Sequence, residues 1–152
     1  MPVLILRPDE WDLPLFLHVL GAMLLVGTLV VALSVLAGAW RGGDAGRGSA
    51  LRRLAFRTLL VAALPSYALM RIGAEWIASE ENVDEADAAW VDVGYVIADA
   101  GLVALVLATI AAWVANRRGP AGGTFGRVAT VLVALLIAAN LIAVWAMTTK
   151  PD

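Results

Sequence analysis

Long apolar runs alternate with short charged connectors along the chain. Positions 13–40 hold no Asp, Glu, Lys or Arg. About 20 helical residues cross a hydrocarbon core of roughly 30 Å, so this run predicts a membrane-spanning helix. Three more follow, at about 54–79, 89–116 and 125–149. The second is interrupted by Pro65, Arg71 and Glu75, and the third carries Asp92 and Asp99. The fourth is free of charge after Arg127. Apolarity on every face, rich in Ala, Leu and Val, predicts helices rather than barrel strands. The pattern therefore predicts one all-α integral membrane domain over 1–152, a transmembrane four-helix bundle.

The connectors differ in charge. Eight of the 11 basic residues lie in or beside the first and third: Arg41, Arg47, Arg52, Arg53, Arg57, Arg117, Arg118 and Arg127. The second is acidic, with Glu80, Glu81, Asp84, Glu85 and Asp87. The positive-inside rule places the basic loops in the cytoplasm and both termini and the acidic loop outside. The net charge of −2 is thus the sum of two opposed surface layers. Trp11, Trp76, Trp90 and Trp145 fall at the predicted outer ends, and Trp40 and Trp113 at the inner ends. Indoles prefer such boundaries.

Composition narrows the function classes. Apolar residues make up 61% of the chain, and charged ones 16%, against roughly a quarter in soluble domains. A chain this short cannot bury that much apolar surface in one soluble core. Disorder and a basic nucleic-acid-binding domain are equally disfavoured, so the lipid bilayer is the expected partner and nucleic acid is not. There is no cysteine and one histidine, His18, which removes thiolate chemistry and any multi-His site within one chain. Arg7 is followed at once by Asp9, Glu10 and Asp12, so no cleavable signal peptide is expected.

Ionisable side chains inside hydrocarbon are costly and point to function by default. Counted from the outer tryptophans at 1.5 Å per residue, His18 lies roughly 10 Å deep, Arg71 about 7–8 Å, Asp99 about 13 Å and Asn140 about 7–8 Å. One polar residue from each helix thus falls in the outer half, and the inner half has none of comparable strength. Tyr67, Arg71 and Glu75 recur at i, i+4, i+8, and Asp92, Tyr95 and Asp99 at i, i+3, i+7. Each set forms one stripe of a helix. If the stripes face each other, Arg71 pairs with Glu75 or Asp99, and the remaining carboxylate faces the cavity. Candidate ligand-binding residues are therefore His18, Tyr67, Arg71, Glu75, Tyr95, Asp99 and Asn140. Structural roles compete for each: an ion pair between helices for the charges, interhelical glue for Asn140, packing for the tyrosines. Pro65 predicts a kink that frees the Val61 carbonyl, and Gly21, Gly27, Gly94 and Gly101 predict close helix approach.

The first helix reads Leu15-Phe16-Leu17-His18-Val19-Leu20-Gly21-Ala22, then Val26-Gly27, and the chain closes on Trp145-Ala-Met147-Thr-Thr-Lys150-Pro151. These segments resemble a small uncharacterised bacterial four-span integral membrane family. The first is also similar to the opening helix of copper-resistance protein D-like domains and of HemJ-type protoporphyrinogen oxidases. The resemblance implies a multi-pass protein of the bacterial inner (cytoplasmic) membrane. The HemJ-type likeness implies His18 as a haem-iron ligand, with Met23, Met70 or Met147, or His18 of a second chain, as its partner. The chain departs from that pattern in lacking an intramembrane lysine. Copper handling is disfavoured by the absence of cysteine and of a methionine cluster.

Three functions compete. The first is an outward-facing polar pocket for a small ligand or redox cofactor, haem or quinone among them. The second is a small proton- or ion-coupled transporter or channel around Asp99, which would have to form a homo-oligomer to enclose a path. The third is a structural subunit of a membrane complex. Polar groups on one side at one depth favour the first, and the residues leave open whether the protein is an enzyme.

Overall fold

A computed structural model describes residues 12–41, 45–81 and 89–149. The described residues are all helical: α1 Asp12–Arg41, α2 Ala45–Thr58, a π-helical segment Leu59–Ala63, α3 Leu64–Glu81, α4 Ala89–Arg118, a 3-10 turn Gly119–Gly122 and α5 Gly123–Thr149. Three runs among them are long and apolar enough to cross a membrane: Leu13–Arg41, Ala45–Ser79 and Gly94–Ala146. The third run, 53 residues, would extend about 80 Å if straight. It folds back instead, because Gly119 takes a left-handed φ of 57° that opens the 3-10 turn. A Cβ on Gly122 would sit 2.8 Å from the Ala115 backbone, so α5 leaves the turn pressed against α4.

Two expectations about the second helix change. Helix begins at Ala45 and not near Leu54. The Ala, Leu and Arg content of this stretch favours helix over loop, and buried Gly48 lets it start close to the Ala39 carbonyl of α1. Pro65 does not simply kink the helix. The turn before it widens, with the Leu64 N–H donating to the Leu59 carbonyl. A π-type turn re-partners the backbone where proline removes a donor, so α2 and α3 continue through it.

Packing divides the helices into two antiparallel pairs, α1 with α3 and α4 with α5, with α2 set against α1 and α4 at the basic end. Between apolar helices in lipid there is no hydrophobic gain, and association rests on close contact of small residues. A Cβ on Gly21 would run into the Met70 backbone nitrogen, and one on Gly73 would lie 2.5 Å from the His18 nitrogen and 2.8 Å from the Pro14 carbonyl. Gly21 thus behaves as its sequence position suggested. Gly27 does not, since nothing lies within 4 Å of its Cβ direction, and Gly101 makes only an ordinary 3.8 Å contact with Leu136. The core in the middle of the bundle joins both pairs: Leu29, Leu36, Leu59, Leu105 and Val133 are fully buried, with Ala32, Ala55, Ala63, Ala108 and Ala129 between them.

Of the tryptophans, Trp40, Trp76, Trp113 and Trp145 are exposed on the helix surfaces. Trp11, the N-terminal segment and the acidic connector at 82–88 lie outside the described residues. Gly73→Ala is expected to destabilise the protein by about 1–3 kcal/mol, because the clash is with backbone that cannot rotate away. Gly27→Ala should leave stability unchanged. Thermal unfolding of both variants in detergent checks this pair, and equal melting temperatures would contradict the close-contact account.

Candidate functional site

The gap between the two helix pairs forms a cavity of about 300 Å³. It runs along α1 from Leu15 to Leu29, along α3 from Tyr67 to Ala78, along α4 from Gly94 to Leu105 and along α5 from Leu136 to Val144. The wall is mostly apolar. Its polar side chains are His18, Tyr67, Arg71, Tyr95 and Asn140. Buried Leu25, Leu29, Leu105 and Leu136 close its deep end.

His18 sits at the α1–α3 seam. Its Nδ1 lies 3.0 Å from the Met70 carbonyl oxygen. A carbonyl only accepts, so Nδ1 carries the proton. In the neutral ring Nε2 is then an acceptor, and the His18 side chain lines the cavity. Helix backbone at Gly73 sets this bond. With no side chain there, α1 comes near enough for a short imidazole to reach a carbonyl already inside the α3 ladder.

Side chains bridge the wider gap between α3 and α4. The buried Tyr67 hydroxyl donates to the Ala98 carbonyl at 2.9 Å. One turn along, a single Arg71 nitrogen, Nη2, meets Glu75 at 2.8 Å and Asp99 at 3.2 Å. The Arg71 guanidinium also lies over the Tyr95 ring, 5.3 Å from its centre. The two stripes therefore do face each other through Tyr67, Arg71, Tyr95 and Asp99. The side chain of Asp92 is not among those described.

The carboxylates differ from expectation. Neither Glu75 nor Asp99 lines the cavity. Both hold Arg71 from its outer side, with side chains 51% and 72% exposed. The arginine, at 27%, is the least exposed of the three and the one that lines the cavity. Asn140 spends one amide hydrogen on the Leu136 carbonyl of its own helix, at 2.8 Å, and lines the cavity from α5.

No protein-family model, curated protein or solved structure matches the chain.

The residue set tests haem directly. A metal-binding histidine usually gives its other ring N–H to a carbonyl, as His18 does. The second axial ligand is the difficulty. Met70 shares the wall with His18, and Met23 is 70% exposed and does not line the cavity. The Met147 side chain is not among those described. The facing wall of α4 and α5 offers Tyr95 and Asn140, neither of them an axial ligand of the His/Met type. Among the described residues no group of three His, Cys, Asp or Glu could hold a metal ion. Among the described residues of one chain, no His/Met pair faces itself across the cavity.

Two residues that shape the site, Gly73 and Ala98, were not singled out from the sequence, and Met70 was named there only for its side chain. Gly73 and Met70 fix His18 by backbone alone, and Ala98 accepts from Tyr67 by backbone alone. A glycine one turn before an outer tryptophan, on the helix facing His18, was the available signal for Gly73.

Arg71→Met strands two carboxylates, whereas Arg71→Met with Glu75→Gln and Asp99→Asn strands none. The single variant should be the less stable by roughly 1 kcal/mol, toward the low end because both acids are more than half exposed. Detergent melting curves measure this, and coincident curves would mean that the three charges do not act as a unit.

Proposed function

We propose that the protein is a four-span integral membrane protein whose cavity binds a small amphipathic ligand of the quinol and quinone class. The observation that carries this reading is an apolar cavity of about 300 Å³ with a few hydrogen-bonding side chains in its wall. Ligand sites for small molecules have this character, an apolar lining with a small number of placed polar groups. The His18 Nε2 accepts from a hydroxyl of the reduced ring. Arg71 and the Asn140 amide donate to a ring carbonyl. The apolar remainder of the cavity takes the ring face and the start of the tail.

Topology supports entry from the bilayer. The run Gly94–Ala146 reverses at Gly119, so each arm crosses once and the chain crosses four times. The basic residues of α2, α4 and the α4–α5 turn then lie in the cytoplasm, and the cavity opens in the outer half. Both termini lie outside. The likeness of the first helix to small bacterial multi-span families supports a bacterial inner membrane. The backbones of α3 and α4 touch little, and the span between them is bridged by side chains. A lipid-dissolved ligand can pass there without disturbing the α1–α3 seam. An ion path has less support, because buried Leu29, Leu36, Leu59, Leu105 and Val133 fill the bundle below the cavity.

A short-chain quinone titrated into the detergent-purified protein should quench tryptophan fluorescence saturably. With the ligand held reduced as the quinol, whose hydroxyl donates to Nε2, His18→Leu should weaken binding about tenfold, the effect of one lost hydrogen bond with an unsatisfied partner left behind. Asn140→Leu should weaken it by a smaller factor, and Gly27→Ala should not change it. Quenching that stays linear with quinone concentration, or an unchanged Kd in both polar variants, would sink the proposal.

A further inference from the structure

The opposite end of the bundle holds a second cavity, of about 220 Å³, lined by residues of α1, α2, the 3-10 turn and α5. Its lining contains two cations, Arg52 and Arg127, and no acid. Trp40 presents its indole nitrogen beside Gly126, where an added Cβ would lie 3.5 Å from it. Gly119, Gly122 and Gly123 complete the wall and leave the backbone uncovered.

Arg52 is the informative residue. Its Nε is buried without a hydrogen-bond partner, the sole such side-chain atom among the described residues. Nor does either cavity arginine form an ion pair among the described residues. Buried donors are satisfied in nearly all native structures, and a guanidinium N–H left without one asks for an acceptor. The other arginines of the α4–α5 turn are already engaged. Arg117 stacks on Trp113 at 4.6 Å and Arg118 on Phe125 at 5.0 Å. What remains is the buried Nε of Arg52 without a partner and, across a glycine-walled space, the exposed guanidinium of Arg127.

We propose that this cavity binds the phosphate of an anionic lipid headgroup. Guanidinium forks match phosphate oxygens in bidentate fashion, and basic pockets between helices at the cytoplasmic side recognise such headgroups. A free phosphate offers the same oxygens. The surface next to the cavity favours a lipid. Arg127, Val131 and Leu135 follow at i, i+4, i+8 on one stripe of α5. Val131 and Leu135 are 56% and 60% exposed. A headgroup held at Arg127 therefore has an uncovered apolar track beneath it for an acyl chain. The proposal stands apart from whatever occupies the His18 cavity.

The test uses the full chain in neutral detergent, where no membrane surface charge contributes. Native mass spectrometry with added phosphatidylglycerol should show one retained lipid, and phosphatidylcholine should be retained at least tenfold less. Arg52→Gln with Arg127→Gln should cut phosphatidylglycerol affinity about tenfold or more. Arg53→Gln with Arg57→Gln removes the same charge from exposed positions of α2, and should leave affinity within about twofold. Arg52→Lys with Arg127→Lys keeps the charge but not the fork and should fall between. Circular dichroism of each variant confirms that helix content is kept. Equal losses in the two glutamine pairs, or unchanged binding in the first, would overturn the proposal. Displacement of the lipid by equimolar inorganic phosphate would overturn it too, by assigning the site to free phosphate.

Discussion

The close backbone approach of α1 and α3 at Gly21 and Gly73 is the constraint on which the rest depends. Inside a bilayer, apolar helices gain nothing by leaving lipid for one another, so the seam needs van der Waals contact at short range and a hydrogen bond across it. Two glycines permit the contact, and His18 supplies the bond to the Met70 carbonyl. Two consequences follow. The imidazole, when neutral, is held in the tautomer that carries its proton on Nδ1. And α3, drawn onto α1, touches α4 little by backbone and is bridged to it by the side chains of Tyr67 and Arg71. The cavity is the space those side chains span.

Arg71 shows how a charge is kept beside an apolar cavity. Glu75 on its own helix and Asp99 on α4 converge on one of its nitrogens, and the Tyr95 ring lies against its guanidinium. The cation is thereby balanced by two carboxylates while it lines the cavity. The cluster carries one negative charge in excess, held at exposed carboxylates rather than in the apolar cavity. That distribution suits a neutral ligand better than an anionic one.

Much of this was legible from hydropathy and spacing. The apolar runs at 13–40, 54–79, 89–116 and 125–149 fall within the observed helices, because twenty apolar residues in lipid have few other options. Depth counting from the tryptophans drew His18, Arg71, Asp99 and Asn140 to the outer half, and the helical period added Tyr67, Glu75 and Tyr95; five of these seven line one cavity, and Asp99 and Glu75 do not. Spacing could not say on which side of Arg71 the carboxylates stand. A stripe fixes an angle on a helix to within a residue, whereas the side of a long side chain depends on its rotamer. Nor did the glycines reveal themselves equally. Gly27 has the composition of a contact position but faces open space, whereas Gly73, on the more polar second helix, lies against the α1 backbone. The second cavity escaped because Arg52 reads as one of many topology charges until its buried nitrogen is seen.

The most direct measurement follows from the protein having a single histidine. Nitrogen-15 NMR of histidine-labelled protein in detergent yields one pair of ring resonances, with no assignment problem. Protonated Nδ1 and unprotonated Nε2 in the free protein, with the Nε2 resonance shifting when a short-chain quinol is added, is the result expected. A proton on Nε2 and a bare Nδ1 would contradict the account, because the bond to Met70 could not exist and the cavity would lose its acceptor.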